Sequence, residues 1–288
     1  MVQLKIRPKV FVLGDDTMLG SAVVEACNAE EGFKVTSMSS ENLALDKWQE
    51  MNWAFPSNAA VVNCLDYGDI EYAEQNEAAF MRNVMESTRN IANACVFRDC
   101  ALYHFSSHHI FDGDKGKHYT ERDLPHPINV YGNGMTMGEK NVRMEGGSPL
   151  VIRVQSLFGP NGDNFVRGVV DQLNDGAEEI RAVGDQVTAP TYSRHVAQAF
   201  IHLLGTGKTG AVNVAASGEC SEYGLAKAIV DRVKPGVPVT MTTSEDMGYT
   251  ARRPKYGVLD NYWYTSWTGR EIPGWEEGLE QYLAELGF

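Results

Sequence analysis

The stretch Lys9–Ala29, KVFVLGDDTMLGSAVVEACNA, decides the fold. Lys9–Leu13 is a short apolar run of the kind buried as a strand in a parallel sheet. Gly14-Asp15-Asp16-Thr17-Met18-Leu19-Gly20 follows, and a helical pattern continues through Ser21–Ala29. Strand, glycine turn and helix in succession set the free amides and positive potential of a helix N-terminus at a strand end. A dinucleotide pyrophosphate binds in such a place. Gly14 suits the tight turn and Gly20 suits close helix–strand packing. Thr17, midway between them, either crowds a pyrophosphate or meets it through its hydroxyl. Gly14, Thr17, Met18, Leu19 and Gly20 are therefore cofactor-binding candidates. A glycine pair after a strand is also what an ordinary βα turn needs, so the motif alone has low specificity.

Outward from this unit, strands and helices alternate. Strands are expected at Lys34–Met38, Ala59–Cys64, Ala101–Phe105, Leu150–Val154, Glu179–Val183 and Ala211–Val214. Helices are expected over Glu71–Phe97 with one break, from Tyr131, and over Asn164–Leu173, Ser193–Leu204 and Ser221–Val233. That alternation predicts an α/β fold with a doubly wound parallel sheet. The tail from Lys234 changes character, with Pro235, Pro238, Pro254 and Pro273 and the aromatics Tyr262-Trp263-Tyr264, Trp267 and Trp275. It reads as part of a smaller, irregular C-terminal lobe. A dinucleotide-binding domain is expected over residues 1–155 with 185–215, and a smaller α/β substrate lobe over 156–184 with 216–288.

The chain of 288 residues carries a formal net charge of -13, which argues against nucleic acid and against anionic membranes. An anionic ligand would need a local basic pocket, for which Arg153, Arg194, Arg252, Arg253 and Lys255 are the candidates. The five cysteines have no Cys-x-x-Cys pair, and Cys27, Cys64 and Cys95 sit in apolar patterns. They read as buried hydrophobes of a reducing, cytoplasmic protein with neither a disulfide framework nor a metal site. No stretch approaches membrane-spanning length, and the N-terminal stretch has no apolar run long enough for a signal peptide.

The chemistry concentrates in Leu102–Asn141, LYHFSSHHIFDGDKGKHYTERDLPHPINVYGNGMTMGEKN. A strand ends in Ser106-Ser107, and Tyr131 opens a helix that can bring its phenol to the same sheet edge. A tyrosine acting as an acid needs help, because its free pKa is about 10. A lysine one helical turn on would give it. That position is Met135, an uncharged thioether. Lys140 is about half a turn round and points away. His108 and His109 follow Ser107; such a loop pair is ordinarily exposed, but a histidine there could supply a proton near neutral pH. At the end of the second strand, Ser37-Met38-Ser39-Ser40 offers neither the acid that suits NAD nor the arginine that suits NADP. Serines accommodate a 2′-phosphate, so Ser39 and Ser40 favour NADP over NAD.

These residues, taken with others, resemble the extended short-chain dehydrogenase/reductases and, within them, the dTDP-4-dehydrorhamnose reductase family. The resemblance covers nearly the full chain. It rests on Val62-Asn63-Cys64-Leu65-Asp66-Tyr67, Asn83, Phe105-Ser106-Ser107 with Phe111-Asp112-Gly113, and Tyr119-Thr120-Glu121. Further on it includes Val130-Tyr131-Gly132, Gly138-Glu139, Ile152-Arg153, Gly162-Asp163-Asn164-Phe165, Ala189-Pro190-Thr191-Tyr192 and Arg253-Pro254. It implies a Rossmann-type domain for NADP or NAD and a lobe for a nucleotide-sugar, with hydride passing to a sugar ketone. By position, Ser107 would polarise the carbonyl, Tyr131 would donate the proton, and Met135 replaces the lysine. Asn63 and Asn83 would belong to the cofactor side, and His108, His109, Arg153, Asn164 and Arg253 to the substrate side. The departures fall at the chemistry: Met135, the His108-His109 pair, Ser156 in place of a substrate-side tryptophan, and Thr17.

Two functions follow from this pattern. One is a nucleotide-linked 4-keto-sugar reductase with altered or impaired catalysis, the lysine's role lost or taken by a histidine. The other is a non-catalytic binding or regulatory subunit on the same scaffold, acting with a protein partner or as a homodimer. The regulatory β subunit of methionine adenosyltransferase, similar to this family, shows that the fold can serve in that way.

Overall fold

The computed structural model describes residues 8–42, 54–145 and 147–288. In chain order, β1 (Lys9–Leu13) leads into α1 (Met18–Ala29), then β2 (Lys34–Met38) and β3 (Ala59–Asn63). Next come α2 (Ile70–Gln75), α3 (Glu77–Phe97) and β4 (Ala101–Ser107). The expected break in the long helix falls at Asn76. After a 3₁₀ turn at His108–Ile110 and a loop, α4 (Val130–Met144) precedes β5 (Leu150–Val154) and β6 (Leu157–Phe158). The remainder is α5 (Phe165–Asn174), β7 (Ile180–Val183), β8 (Val187–Thr188), β9 (Thr191–Tyr192), α6 (Ser193–Leu204) and β10 (Gly210–Asn213). Then come β11 (Cys220–Ser221), α7 (Glu222–Val233), β12 (Val239–Thr242), α8 (Tyr262–Thr268) and α9 (Trp275–Glu285).

Six of the strands form one sheet in the order β10-β5-β4-β3-β1-β2, and every pairing in it is parallel. The chain steps outward from β1 in both directions, to β2 on one side and β3 on the other. Open α/β sheets hold ligands at such a switch point, outside the carboxyl ends of the strands. Leu13, Asn63, Ser107 and Val154 all end on that edge.

Sequence chemistry starts the helices that matter for the site. The Thr17 hydroxyl accepts the Gly20 amide at the start of α1. Asn129 accepts the Gly132 amide at 2.7 Å and caps α4. Short polar side chains at these positions satisfy helix amides that have no intrahelical acceptor.

One apolar cluster joins β1, β3, β4 and β5 to α1 and α6, through Val12, Val62, Ile152, Val23 and Phe200. A second joins Phe158, Val170, Ile180, Ile229 and Leu283, beneath α5, α7 and α9. The aromatic tail divides between them. Trp275 packs on the second cluster, whereas Tyr264 and Ile272 are buried in the first. On α4, Met135 is buried and Met144 is 70% exposed. No helix among the described residues is long and apolar enough to cross a membrane.

Candidate active site

Above the switch point lies a cavity of about 580 Å³. The sheet edge, the first turn of α1, α4 and the second lobe all contribute to its wall. β4 delivers Ser107, which is followed immediately by the 3₁₀ turn. α4 delivers Tyr131 and, one turn on, Met135. The two walls meet closely: a Cβ at Gly132 would lie 2.0 Å from the His109 carbonyl oxygen, so only glycine lets α4 approach the turn.

Tyr131 and Ser107 both line the cavity wall, close enough for the Ser107 side chain to act on the phenol. Burial pushes the Tyr131 phenol above its ordinary pKa, and the nearby Asp66 carboxylate pushes it in the same direction. The Ser107 side chain opposes both. Met135 is 4% exposed and gives the phenol no positive charge.

The two histidines depart from expectation. Both are buried, because the 3₁₀ turn tucks them between α4 and the C-terminal segment. Their rings lie 4.3 Å apart, and His109 meets Tyr131 edge-on at 5.7 Å. Burial lowers the His108 pKa to about 4. Burial, His108 and Arg253 lower that of His109 further. Both rings are therefore neutral at physiological pH, and neither supplies the cation that Met135 lacks. Nδ1 of His108 is buried without a partner.

The cofactor-side residues are held mostly by local structure. Gly14 adopts φ +82°, and a Cβ at Gly20 would lie 1.8 Å from the Gly14 carbonyl oxygen. The turn therefore requires both glycines. The Thr17 hydroxyl lies 2.9 Å from the Gly14 carbonyl and 3.0 Å from that of Cys64, tying the turn to the end of β3. Thr17 stitches the loop together in place of a middle glycine. Thr17, Met18 and Leu19 line the cavity from the helix start, where amides lack intrahelical acceptors. The backbone thus fits a dinucleotide pyrophosphate. Asn63 spends its amide on Tyr67 and His104, at 3.2 and 2.9 Å. Asn83 is exposed on α3 and does not line the cavity. Ser39 accepts from Asn42, and Ser40 donates to Asp16.

Of the substrate-side candidates, His108, His109 and Arg253 line the cavity. Arg253 forms an ion pair with Glu71 at 2.8 Å and stacks 3.8 Å from the centre of the Tyr249 ring. Arg153 faces elsewhere. It is 2% exposed and gives Glu139 two hydrogen bonds, at 2.9 and 2.8 Å, below the cavity. Asn164 caps α5 and donates to Gly159 and Gly162, while its neighbours Asp163 and Phe165 reach the wall. Among the other basic candidates, Arg194 pairs with Glu25 and Glu285, and Arg252 and Lys255 are exposed.

Sequence reasoning missed Asp66, Gln155 and Glu222, which also line the cavity. Asp66 lies within the quoted Val62–Tyr67 run and was open to assignment. Glu222 directly follows the α7 cap Ser221 and carried only the signal of an ordinary helix start.

The model of the RmlD substrate binding domain matches residues 8–288. The chain belongs to that family. Among its relatives is the dTDP-4-dehydrorhamnose reductase of Burkholderia thailandensis, 32% identical, with 78% of this chain and 81% of that protein covered. The spore coat polysaccharide biosynthesis protein SpsK of Bacillus subtilis is 28% identical over 96% of this chain and 97% of its own. Among solved structures, the dTDP-4-dehydrorhamnose reductase of Bacillus anthracis, in complex with NADP, superimposes with a TM-score of 0.91. It is 27% identical and covers 97% of this chain and 100% of its own. The fold of that structure, a parallel central sheet flanked by helices, is thus that of this chain.

Proposed function

We propose that this chain is an NAD(P)H-dependent reductase of a nucleotide-linked 4-keto sugar, similar to dTDP-4-dehydrorhamnose reductase, with slowed proton delivery. The observation that carries the reading is the placement of Tyr131 and Ser107 together at the wall of a cavity that also takes in the first turn of α1. Bound NAD(P)H would supply the hydride. Ser107 would orient the ketone oxygen, and Tyr131 would give it a proton. The unpartnered Nδ1 of buried His108 is suited to a sugar hydroxyl, since such an atom gains most from a ligand's hydrogen bond. What distinguishes this chain from a lysine-bearing reductase is the environment of the phenol, which is desolvated and faces a carboxylate.

The test is NADH and NADPH oxidation by the purified full chain with a panel of nucleotide-linked 4-keto-6-deoxy sugars, alongside Met135→Lys and Tyr131→Phe. The expected result is slow turnover by the native chain, more in Met135→Lys and none in Tyr131→Phe. Absence of turnover in all three would overturn the reading. Met135 itself favours the second reading, a non-catalytic subunit that keeps the scaffold and acts through a protein partner. On that reading Tyr131→Phe leaves partner binding unchanged.

A further inference from the structure

The end of the proposed cofactor site beyond the glycine turn is acidic, and the acid comes from the turn itself. Asp15 accepts a hydrogen bond from the Ser37 hydroxyl on β2. Asp16 accepts from both the amide and the hydroxyl of Ser40, at 2.8 and 2.9 Å. Burial alone would raise the Asp16 carboxyl, but these bonds outweigh it and hold the carboxyl below its ordinary range, fully ionised at neutral pH. Of the two serines that read as a seat for a 2′-phosphate, Ser40 thus has its hydroxyl turned to a carboxylate, as has its neighbour Ser37, while Ser39 accepts from Asn42. Oδ1 of Asp15 and Oδ2 of Asp16 lie outside these serine hydrogen bonds. Neither carboxylate forms an ion pair with a described lysine or arginine.

In this fold the carboxyl end of β2 is where the adenosine ribose of a dinucleotide lies, and a carboxylate there accepts from the ribose 2′-hydroxyl. β2 here ends in serine, and the turn after β1 places two carboxylates against that end. A free carboxylate oxygen is a good acceptor for a ribose hydroxyl. It is a poor neighbour for a 2′-phosphate, which brings further negative charge to carboxylates that no described cation offsets.

We propose that Asp15 and Asp16 set dinucleotide choice in this chain, selecting NADH over NADPH. The preference rests on the reductase reading of the same site. It would set this chain apart from its relative crystallised with NADP. It also predicts that the anion seat at α1 serves the pyrophosphate alone.

The test is a fluorescence titration of the full chain with NADH and with NADPH, repeated for Asp16→Asn and for Asp15→Asn with Asp16→Asn. NADH is expected to bind at least ten-fold more tightly than NADPH to the native chain. The double variant is expected to narrow the gap at least five-fold by gaining NADPH affinity, a gain that a merely unfolded variant cannot show. NADPH binding as tightly as NADH, or a gap that the double variant leaves unchanged, would overturn the preference and leave the reductase reading standing. Binding of neither dinucleotide would overturn both.

Discussion

Tyr131 and Met135 face the same cavity from one side of α4, a helical turn apart, so the phenol's nearest neighbour along the helix is a thioether. The residues that shift the phenol pKa are Asp66 and Tyr67, which raise it, and Ser107, which lowers it; no cation is among them. Met135→Lys would place an ammonium beside the phenol and lower its pKa. Turnover with a keto sugar is expected to rise roughly a hundred-fold, the lower end of the usual range for an acid–base group. The alkaline limb of the kcat profile should move to lower pH in the variant. A limb that stays in place while the rate rises would show that the lysine acts by some other route.

Between about pH 5.5 and 8.5 the native chain's kcat should be flat. Burial holds His108 near 4 and His109 well below the ordinary histidine range, and the Tyr131 phenol loses its proton only above the ordinary tyrosine range. Nothing at the junction of Ser107, Tyr131 and the histidine pair changes charge in that window. A pH–rate profile with an inflection near 6.5 would mean that a histidine is solvated and acting as the acid, and the neutral-pair reading would fall.

Much of the fold was legible because its strands are five-residue apolar runs between turn residues. β1, β2 and β5 occupy the residues their composition marked. The two-residue strands β6, β8, β9 and β11 have no period to read and exist only because the loops they lie in meet. At the site, the spacing from Tyr131 to Met135 was visible, since a helix makes four residues one turn. The state of Arg153 was not. Its partner, Glu139, is on α4, and only the packing of α4 over β4 and β5 brings the two together. The histidine pair misled for the same reason: a polar doublet after a strand looks exposed until the C-terminal segment closes over it. The engagement of Ser37 and Ser40 by Asp15 and Asp16 likewise depends on β1 and β2 being neighbours.

Gly132→Ala should disable the site without touching a reacting group. The new Cβ would lie 2.0 Å from the His109 carbonyl oxygen, which is backbone and cannot swing aside. α4 must shift outward, and Tyr131 moves away from Ser107 with it. A loss of turnover of a hundred-fold or more is expected, with NADH binding at α1 nearly unchanged. Fluorescence titration and steady-state rates on one preparation check this. Equal losses in binding and turnover would indicate global damage.

Acid should destabilise the chain before its carboxylates titrate fully. Burial lowers the pKa of His104, as of His108, from the ordinary 6.5 to about 4. Between these values the unfolded chain binds protons that the folded chain refuses, so stability is complete above about pH 6.5 and is lost as pH falls toward 4. Each histidine contributes on the order of 3 kcal/mol to that loss. Urea denaturation at several pH values should show the slope, and His108→Asn should reduce it. An unchanged slope in that variant would place the acid sensitivity elsewhere.

The Glu139–Arg153 pair offers the sharpest structural test. Glu139 is 1% exposed and also accepts from Arg143 at 3.0 Å. Burial would raise its carboxyl, but the two arginines outweigh burial and hold it low. Removing one partner of such a pair leaves a buried charge alone, which costs about 3–5 kcal/mol. Glu139→Gln is therefore expected to lower Tm by roughly 10 °C, and Arg153→Met by a comparable amount. Replacing both leaves no orphaned charge, so the double variant should be more stable than the sum of the two single losses implies, with a coupling of about 1–3 kcal/mol. Calorimetry on the four proteins measures it. Additive losses would show that Arg153 is not committed to Glu139, and would return it to consideration as a ligand-binding residue.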